Sequence, residues 1–377
     1  MNNRVENVEI SGIRKFYNKV RKVEGAISLT LGQPDFNTPD VVKKGVEKAL
    51  IENKTTYTQN AGLDELREEI SKYLNTLGIK YNKEEICITV GGSEGIFSSL
   101  MALLNEGDKV LIPTPAYPAY ESIVNMVGGT VVNYELNNDF TVNVDNIKEK
   151  FKKEDCKYLV LSFPTNPTGA ILDKGGRDEL IKFIKDENII VITDEIYASI
   201  IYDDYYSVAQ EESIKDKIIY ISGFSKMFSA TGLRIGYVAC SENIMKEIMK
   251  VHQYGVSCAP SIVQYGMIEG LKYGMNDVLK MKNEFLNRKN YVVNKLREIG
   301  FEVNDPKGAF YVFPSIKKFK LTSDEFCERL LQEEKVACVP GTAFGVGGEG
   351  FIRISYCYSM EELELALNKI KKFIDKL

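Results

Sequence analysis

The sequence predicts an α/β protein in which a large domain built on a mainly parallel sheet is followed by a smaller α+β domain. Short runs rich in Val, Ile and Tyr recur at 86–90, 109–113, 158–163, 189–193, 218–222 and 235–240. They are apolar throughout rather than alternating, as strands covered on both faces should be. Helical stretches lie between several of them, at Glu94 to Leu104, Tyr117 to Val127 and Asp173 to Asp186, which is the alternation of a parallel sheet with crossover helices.

Downstream the period changes. Residues 276–299 read as one long charged helix with Val278, Met281, Phe285, Tyr291, Val292 and Leu296 on one face, a connector between two bodies. Beyond Gly300 the pattern predicts strands at 301–303 and 309–313, a helix at 324–334, strands at 336–339 and 351–356, and a helix at 360–375. The segment to about residue 45 has little periodic pattern, and GQPDFNTPD is dense in turn residues. The boundaries expected are therefore 46–275 for the large domain, and 1–45 with 276–377 for the small one.

Composition narrows the function. The 377 residues carry 48 Lys and Arg against 53 Asp and Glu, a net charge of −5, so the chain lacks the cationic excess that nucleic-acid phosphates require. No apolar run approaches the roughly 18 residues of a membrane helix. The opening MNNRVENVEI has no basic region followed by an apolar stretch, and a cytoplasmic location is expected. Seven cysteines stand singly with no C-x-x-C pair, which predicts reduced, mostly buried thiols rather than a disulfide frame or zinc site. No metal site is expected. The only histidine, His252, lies in KEIMKVHQYG and reads as a residue of a last helical turn that helps to cap it.

Four turns follow predicted strands, where an open α/β sheet places its ligand crevice. GGSEG, after 86–90, puts backbone N–H groups and a helix N-terminus at the crevice, a place for a phosphate. PTNPTG, after 158–163, brings Asn166 and its amide donor. DEIY, after 189–193, brings Asp194 and Tyr197, and an N-cap aspartate is the bland alternative. GFSKMFSATGLRIG, after 218–222, brings a lysine flanked by serines and an arginine eight positions later. Burial and neighbouring cations lower a lysine pKa and make it a nucleophilic amine, which needs a carbonyl cofactor as its partner.

The Lys226 segment resembles the signature of class I and II aminotransferases, pyridoxal-phosphate enzymes of fold type I. The resemblance extends in order and spacing to YTQNAGLDELR at 57–67, NPTG at 166–169, DEIY at 194–197, GAFYVFP at 308–314 and RISY at 353–356. ISGIRKF, SLTLGQPDF, YTQNAG and KVHQYGVSCA are similar to the subgroup of N-acetyl-diaminopimelate aminotransferases, near the aspartate and aromatic enzymes. The resemblance implies a seven-stranded, mainly parallel sheet, pyridoxal 5'-phosphate as cofactor, and a homodimer with shared active sites.

It also implies roles. Lys226 bonds the cofactor aldehyde and moves the proton of the substrate Cα. Asp194 keeps the pyridine nitrogen protonated, and Asn166 and Tyr197 donate to the phenolic oxygen. The phosphate falls to the backbone of Gly92, Ser93 and Glu94, to Arg234 and to a hydroxyl near the lysine. Relatives often carry serine three positions before that lysine, where this chain has Gly223; Ser225 is chosen over Ser222. Tyr117 matches the aromatic that stacks on the ring, and Tyr57 the residue that reaches a partner's phosphate. Arg353 matches the fork for the substrate α-carboxylate, and Gly32 the backbone closing over it. Arg14 or Lys15, in the segment that folds over the pocket in relatives, is a candidate for a distal carboxylate, with solvated surface charge as the favoured alternative. The expected reaction moves an amino group between an L-amino acid and a 2-oxo acid, with 2-oxoglutarate and glutamate as one pair and N-acetyl-diaminopimelate, aspartate or an aromatic amino acid as candidate second substrate. A cystathionine-type β-lyase on the same fold is the alternative.

Overall fold

The computed structural model describes residues 2–6 and 8–377. After a two-residue strand β1 (Ile27–Ser28), the large sheet is built from β2 (Ile86–Thr89), β3 (Lys109–Thr114), β4 (Thr130–Glu135), β5 (Tyr158–Ser162), β6 (Ile190–Asp194), β7 (Ile218–Gly223) and β8 (Gly236–Cys240). Their spatial order is β2-β8-β7-β6-β5-β3-β4. Only β8 runs against the rest, pairing antiparallel with β2 and β7, so the sheet is seven-stranded and mainly parallel.

Every residue of β2, β5, β7 and β8 is buried, because helices cover both faces. One face packs on Leu66, Ile70 and Leu74 of the Asp64–Thr76 helix and on Leu180, Phe183 and Ile184 of the Lys174–Asp186 helix. The other packs on Ile96 and Leu100 of the Gly91–Leu103 helix, Ile123 and Val124 of the Ala119–Val127 helix, and Met245 and Ile248 of the Glu242–Val256 helix. All three helices expected between strands are present. The strand missing from the expectation is β4, an edge strand only partly buried; its mixed TVVNYE gave no continuous apolar run.

The long helix runs from Met275 to Ile299 and buries five of its six expected apolar positions, Tyr291 being half-buried. It leads to a second apolar cluster that takes in Phe16, Val20 and Leu29 as well as residues from Met281 to Phe373. Here β9 (Tyr311–Val312), β10 (Val336–Ala337), β11 (Val339–Pro340) and β12 (Ile352–Ser355) form a three-stranded sheet, β11-β12-β9, and a parallel pair of β1 with β10. The helices Ser323–Glu334 and Met360–Ile374 begin with capping boxes on Thr322 and Ser359, whose hydroxyls satisfy N-terminal amides.

Three expectations need correcting. No strand forms at 301–303, where a single antiparallel bridge, Glu302 to Ser315, replaces it. The strand expected at 336–339 is two, broken at Cys338 because β10 pairs with β1 and β11 with β12. The N-terminal segment contains a helix, Gly12–Val20, that buries Phe16 and Val20. All seven cysteines are free, and six are buried.

Candidate active site

The C-terminal ends of the parallel strands and the start of β8 surround a cavity of about 550 Å³. At its floor stands Asp194, the last residue of β6. Its Oδ1 accepts from the backbone N–H of Ile196 at 3.1 Å, and its Oδ2 accepts from the Tyr120 hydroxyl at 2.8 Å. A carboxylate only accepts, so the Tyr120 hydrogen goes to Asp194. Ser162, 2.9 Å from the same tyrosine oxygen, completes the chain. Burial raises the Asp194 pKa, opposed by the Tyr120 hydrogen bond and the Lys226 charge. A carboxylate so placed is stabilised by a cation or a protonated ring nitrogen above it.

Lys226 follows β7 in a short helical turn, Phe224–Met227. Its Nζ donates to the Gly32 carbonyl at 2.5 Å and lies about 6 Å from the ring centres of Tyr197 and Phe310. Burial, with Arg234 and Arg353 nearby, lowers its pKa to about 8. Tyr197 shares a hydrogen bond of 2.8 Å with the Tyr311 hydroxyl, and burial pushes its own pKa up, so it stays a donor at neutral pH.

The Gly91–Leu103 helix points its N-terminus at the cavity, and Gly92 and Ser93 line it beside Ser225 and Arg234. Arg234 has a left-handed φ of +51°, a strain concentrated at the site. A Cβ on Gly91, which has φ +76°, would stand 2.8 Å from the Arg234 guanidinium; glycine there lets helix end and guanidinium converge. Helix N–H groups plus an arginine suit a phosphate.

On the small-domain side, Arg353 in β12 is 1 % exposed. It donates to Asn166 Oδ1 at 2.8 Å and to the Thr30 carbonyl, and its guanidinium lies 4.5 Å from the Tyr311 ring centre. Its Nε has no partner, an N–H that calls for an anionic acceptor. Because Asn166 Oδ1 receives Arg353, the amide nitrogen is left for another acceptor.

Among the expected residues, Gly32, Gly92, Ser93, Tyr117, Asn166, Asp194, Tyr197, Ser225, Lys226, Arg234 and Arg353 meet at this cavity, with Arg14 at its mouth. Lys15 does not; it pairs with Glu9 on the surface. Tyr57 is 85 % exposed and away from it. The Glu94 side chain turns behind the helix, accepting from the Val90 N–H and Ser98. Ser222 turns away too, donating to the Glu195 carbonyl. His252 does not cap a helix end: it is fully buried within the Glu242–Val256 helix, facing Glu94 and the Asn60 carbonyl. Tyr120, Ser162 and Tyr311 belong to the site and were missed. Tyr120 follows Tyr117 by three positions across the start of a helix, a spacing that puts both on one face.

A half-buried lysine of lowered pKa, a buried carboxylate, an anion cradle and a second, buried guanidinium define an enzyme that holds pyridoxal phosphate, and the residues present fit that cofactor. The chain belongs to the aminotransferase class I and II family, whose model matches residues 24–370; it is an aminotransferase, and the cofactor of this class is pyridoxal phosphate. It is 40% identical, over 99% of its length and 98% of the relative's, to an aspartate aminotransferase of Pyrococcus abyssi. It is 41% identical, over 100% of its length and 96% of the relative's, to a Bacillus subtilis protein named "Probable N-acetyl-LL-diaminopimelate aminotransferase". The crystal structure of an aromatic aminotransferase from Pyrococcus horikoshii superposes with a TM-score of 0.91 at 37% identity, covering 96% of this chain and 99% of that one. These relatives are aminotransferases and do not favour the lyase alternative.

Proposed function

We propose that this aminotransferase acts on dicarboxylic substrates, with glutamate and 2-oxoglutarate as one pair and aspartate or N-acetyl-diaminopimelate supplying the other. The observation that carries the reading is a pair of guanidiniums on one cavity: Arg353, buried with its Nε unpartnered, and Arg14 at the mouth. Arg353 takes the α-carboxylate through its fork, a geometry lysine does not reproduce, and the Gly32 backbone closes over it. Arg14 meets the distal carboxylate. Relatives named for aspartate, N-acetyl-diaminopimelate and aromatic substrates all stand at similar identity, so the choice of a dicarboxylate rests on the second guanidinium.

In this reading Lys226 would hold the cofactor covalently, Asp194 would pair with its ring nitrogen, Asn166 and Tyr197 would donate to its phenolic oxygen, and Tyr117 would cover its ring. Gly92, Ser93 and the Glu94 backbone N–H, with Arg234 and Ser225, hold its phosphate. When bound, the cofactor supplies an electron sink that acidifies the substrate Cα–H. Lys226 Nζ, neutral near pH 8, would be the base that moves the proton of the substrate Cα. The Tyr120 hydrogen bond opposes the burial that raises the Asp194 pKa and aims its carboxylate, and Arg353 and Gly32 would fix the Cα–H toward Lys226.

The test is a stopped-flow half-reaction screen with glutamate, aspartate, N-acetyl-diaminopimelate, phenylalanine and cystathionine. Rapid loss of the cofactor's visible band is expected with glutamate and one further dicarboxylate. Arg14→Gln should raise KM for those two about tenfold, the worth of one charge-assisted contact, without changing phenylalanine. A screen in which phenylalanine reacts fastest would overturn the reading.

A further inference from the structure

We infer that His252 is a positioning residue for the phosphate end of the cofactor site, acting through Glu94. This rests on the phosphate reading given above. Glu94 stands in the first turn of the Gly91–Leu103 helix, next to the backbone amides assigned to the phosphate. A carboxylate there is itself attracted to the positive helix end, and free to move it would compete with and repel a phosphate dianion. In this chain it is turned to the back of the helix: Oε2 accepts from the Val90 N–H at 3.0 Å, while Oε1 accepts from Ser98 at 2.6 Å and faces His252 Nδ1 at 3.2 Å.

The histidine is placed for that task. It has no exposed surface, and its other nitrogen, Nε2, donates to the Asn60 carbonyl at 2.8 Å. Asn60 is in turn anchored, its amide donating to the Ser257 carbonyl at 2.7 Å. A carbonyl only accepts, so Nε2 is the donor to Asn60, and Nδ1 is the ring atom that faces the Glu94 carboxylate. The ring is thus clamped between two acceptors from separate elements, and it offers the Glu94 carboxylate a partner on the side away from the cavity. His252 touches no cavity-lining residue by hydrogen bond; its influence on the site runs through Glu94 alone.

The experiment titrates cofactor-free protein with pyridoxal 5'-phosphate and, separately, with pyridoxal, which lacks the phosphate, following the visible band of the bound ring. His252→Phe should weaken pyridoxal phosphate binding about tenfold, the scale of a partly buried charge contact at a helix end, and leave pyridoxal binding unchanged. His252→Gln, which keeps one donor, should recover part of the loss, and it serves if the phenylalanine variant fails to fold. Adding Glu94→Gln to His252→Phe should restore phosphate-dependent affinity, because the repelling charge is gone. Equal losses for both ligands, or no loss for either variant, would overturn the inference. The underlying reading fails separately: if Arg234→Ala does not reduce the preference of the otherwise unaltered protein for pyridoxal phosphate over pyridoxal, the phosphate lies elsewhere.

Discussion

Lys226 illustrates how burial makes an ordinary side chain reactive. Its ammonium form loses water on entering the cavity and gains only the Gly32 carbonyl as a near partner, so the neutral amine is reached near pH 8 rather than 10.5. Between those values the unfolded chain holds a proton that the folded chain has released. Stability of the cofactor-free protein should therefore rise with pH across that window, and Lys226→Met should abolish the rise in denaturant titrations; a variant that keeps it assigns the proton to another group. Lys226→Ala should remove transamination and the cofactor's visible band together. Arg353→Lys should raise KM for the amino acid by tenfold or more, with a smaller effect on kcat. A lysine keeps the charge but not the fork that reaches Asn166 and, in the proposed reading, would also reach the substrate carboxylate. Steady-state kinetics with glutamate decides this.

At the scale of elements, the end of β6 carries the site and is tied from behind. Glu195, next to Asp194, accepts from Thr193 at 2.9 Å, from Ser207 at 2.5 Å and from Tyr205, and burial raises its pKa to about 7. Glu195→Ala would leave three buried hydroxyls without their acceptor and should cost about 3 kcal/mol in urea unfolding; a loss below 1 kcal/mol would mean that the hydroxyls find other partners. On the opposite side, Gly32 lies where a Cβ would fall 1.9 Å from the Tyr311 hydroxyl, so the 30–36 segment passes over Lys226 only as glycine. Legibility differs among these elements. The continuous apolar runs announced six of the seven strands of the large sheet, all but β4, because full burial removes polar residues. β4 and the Gly12–Val20 helix escaped because they are half-exposed and mix apolar with charged residues. The helix matters to the site, since it brings Arg14 to the mouth.

For the whole molecule we propose a homodimer, supported by an exposed apolar face. Phe97 and Met101 on the Gly91–Leu103 helix, Tyr254 and Val256 at the end of the Glu242–Val256 helix, and Tyr57 all face solvent in the single chain. The loop carrying Tyr57 is held to that helix end by Asn60 and Ser257. Exposed large apolar groups clustered on adjoining elements mark an interface. Light scattering should give twice the chain mass. Mixed dimers of Lys226→Ala and Tyr57→Ala chains should show more activity than the two parents combined, since one site then regains both residues; no gain would confine each site to one chain. The division at residues 46–275 is likewise proposed, on the separate apolar cluster that joins Phe16, Val20 and Leu29 to the C-terminal part.

The sequence by itself determined all but one strand of the large sheet and the short motifs at the strand ends that meet at the cavity, among them GFSKMFSATGLRIG. Only the tertiary structure decided what those residues face. Tyr120 is one of 21 tyrosines until Asp194, 74 positions away, comes within a hydrogen bond of it. His252 reads as a helix cap until Glu94 and Asn60 close on its two nitrogens, and Ser225 is separated from Ser222 only by which way each hydroxyl turns. Local patterning reports burial and backbone propensity, whereas partnership between distant side chains is set by how the sheet edge, the crossover helices and the small domain converge on one cavity.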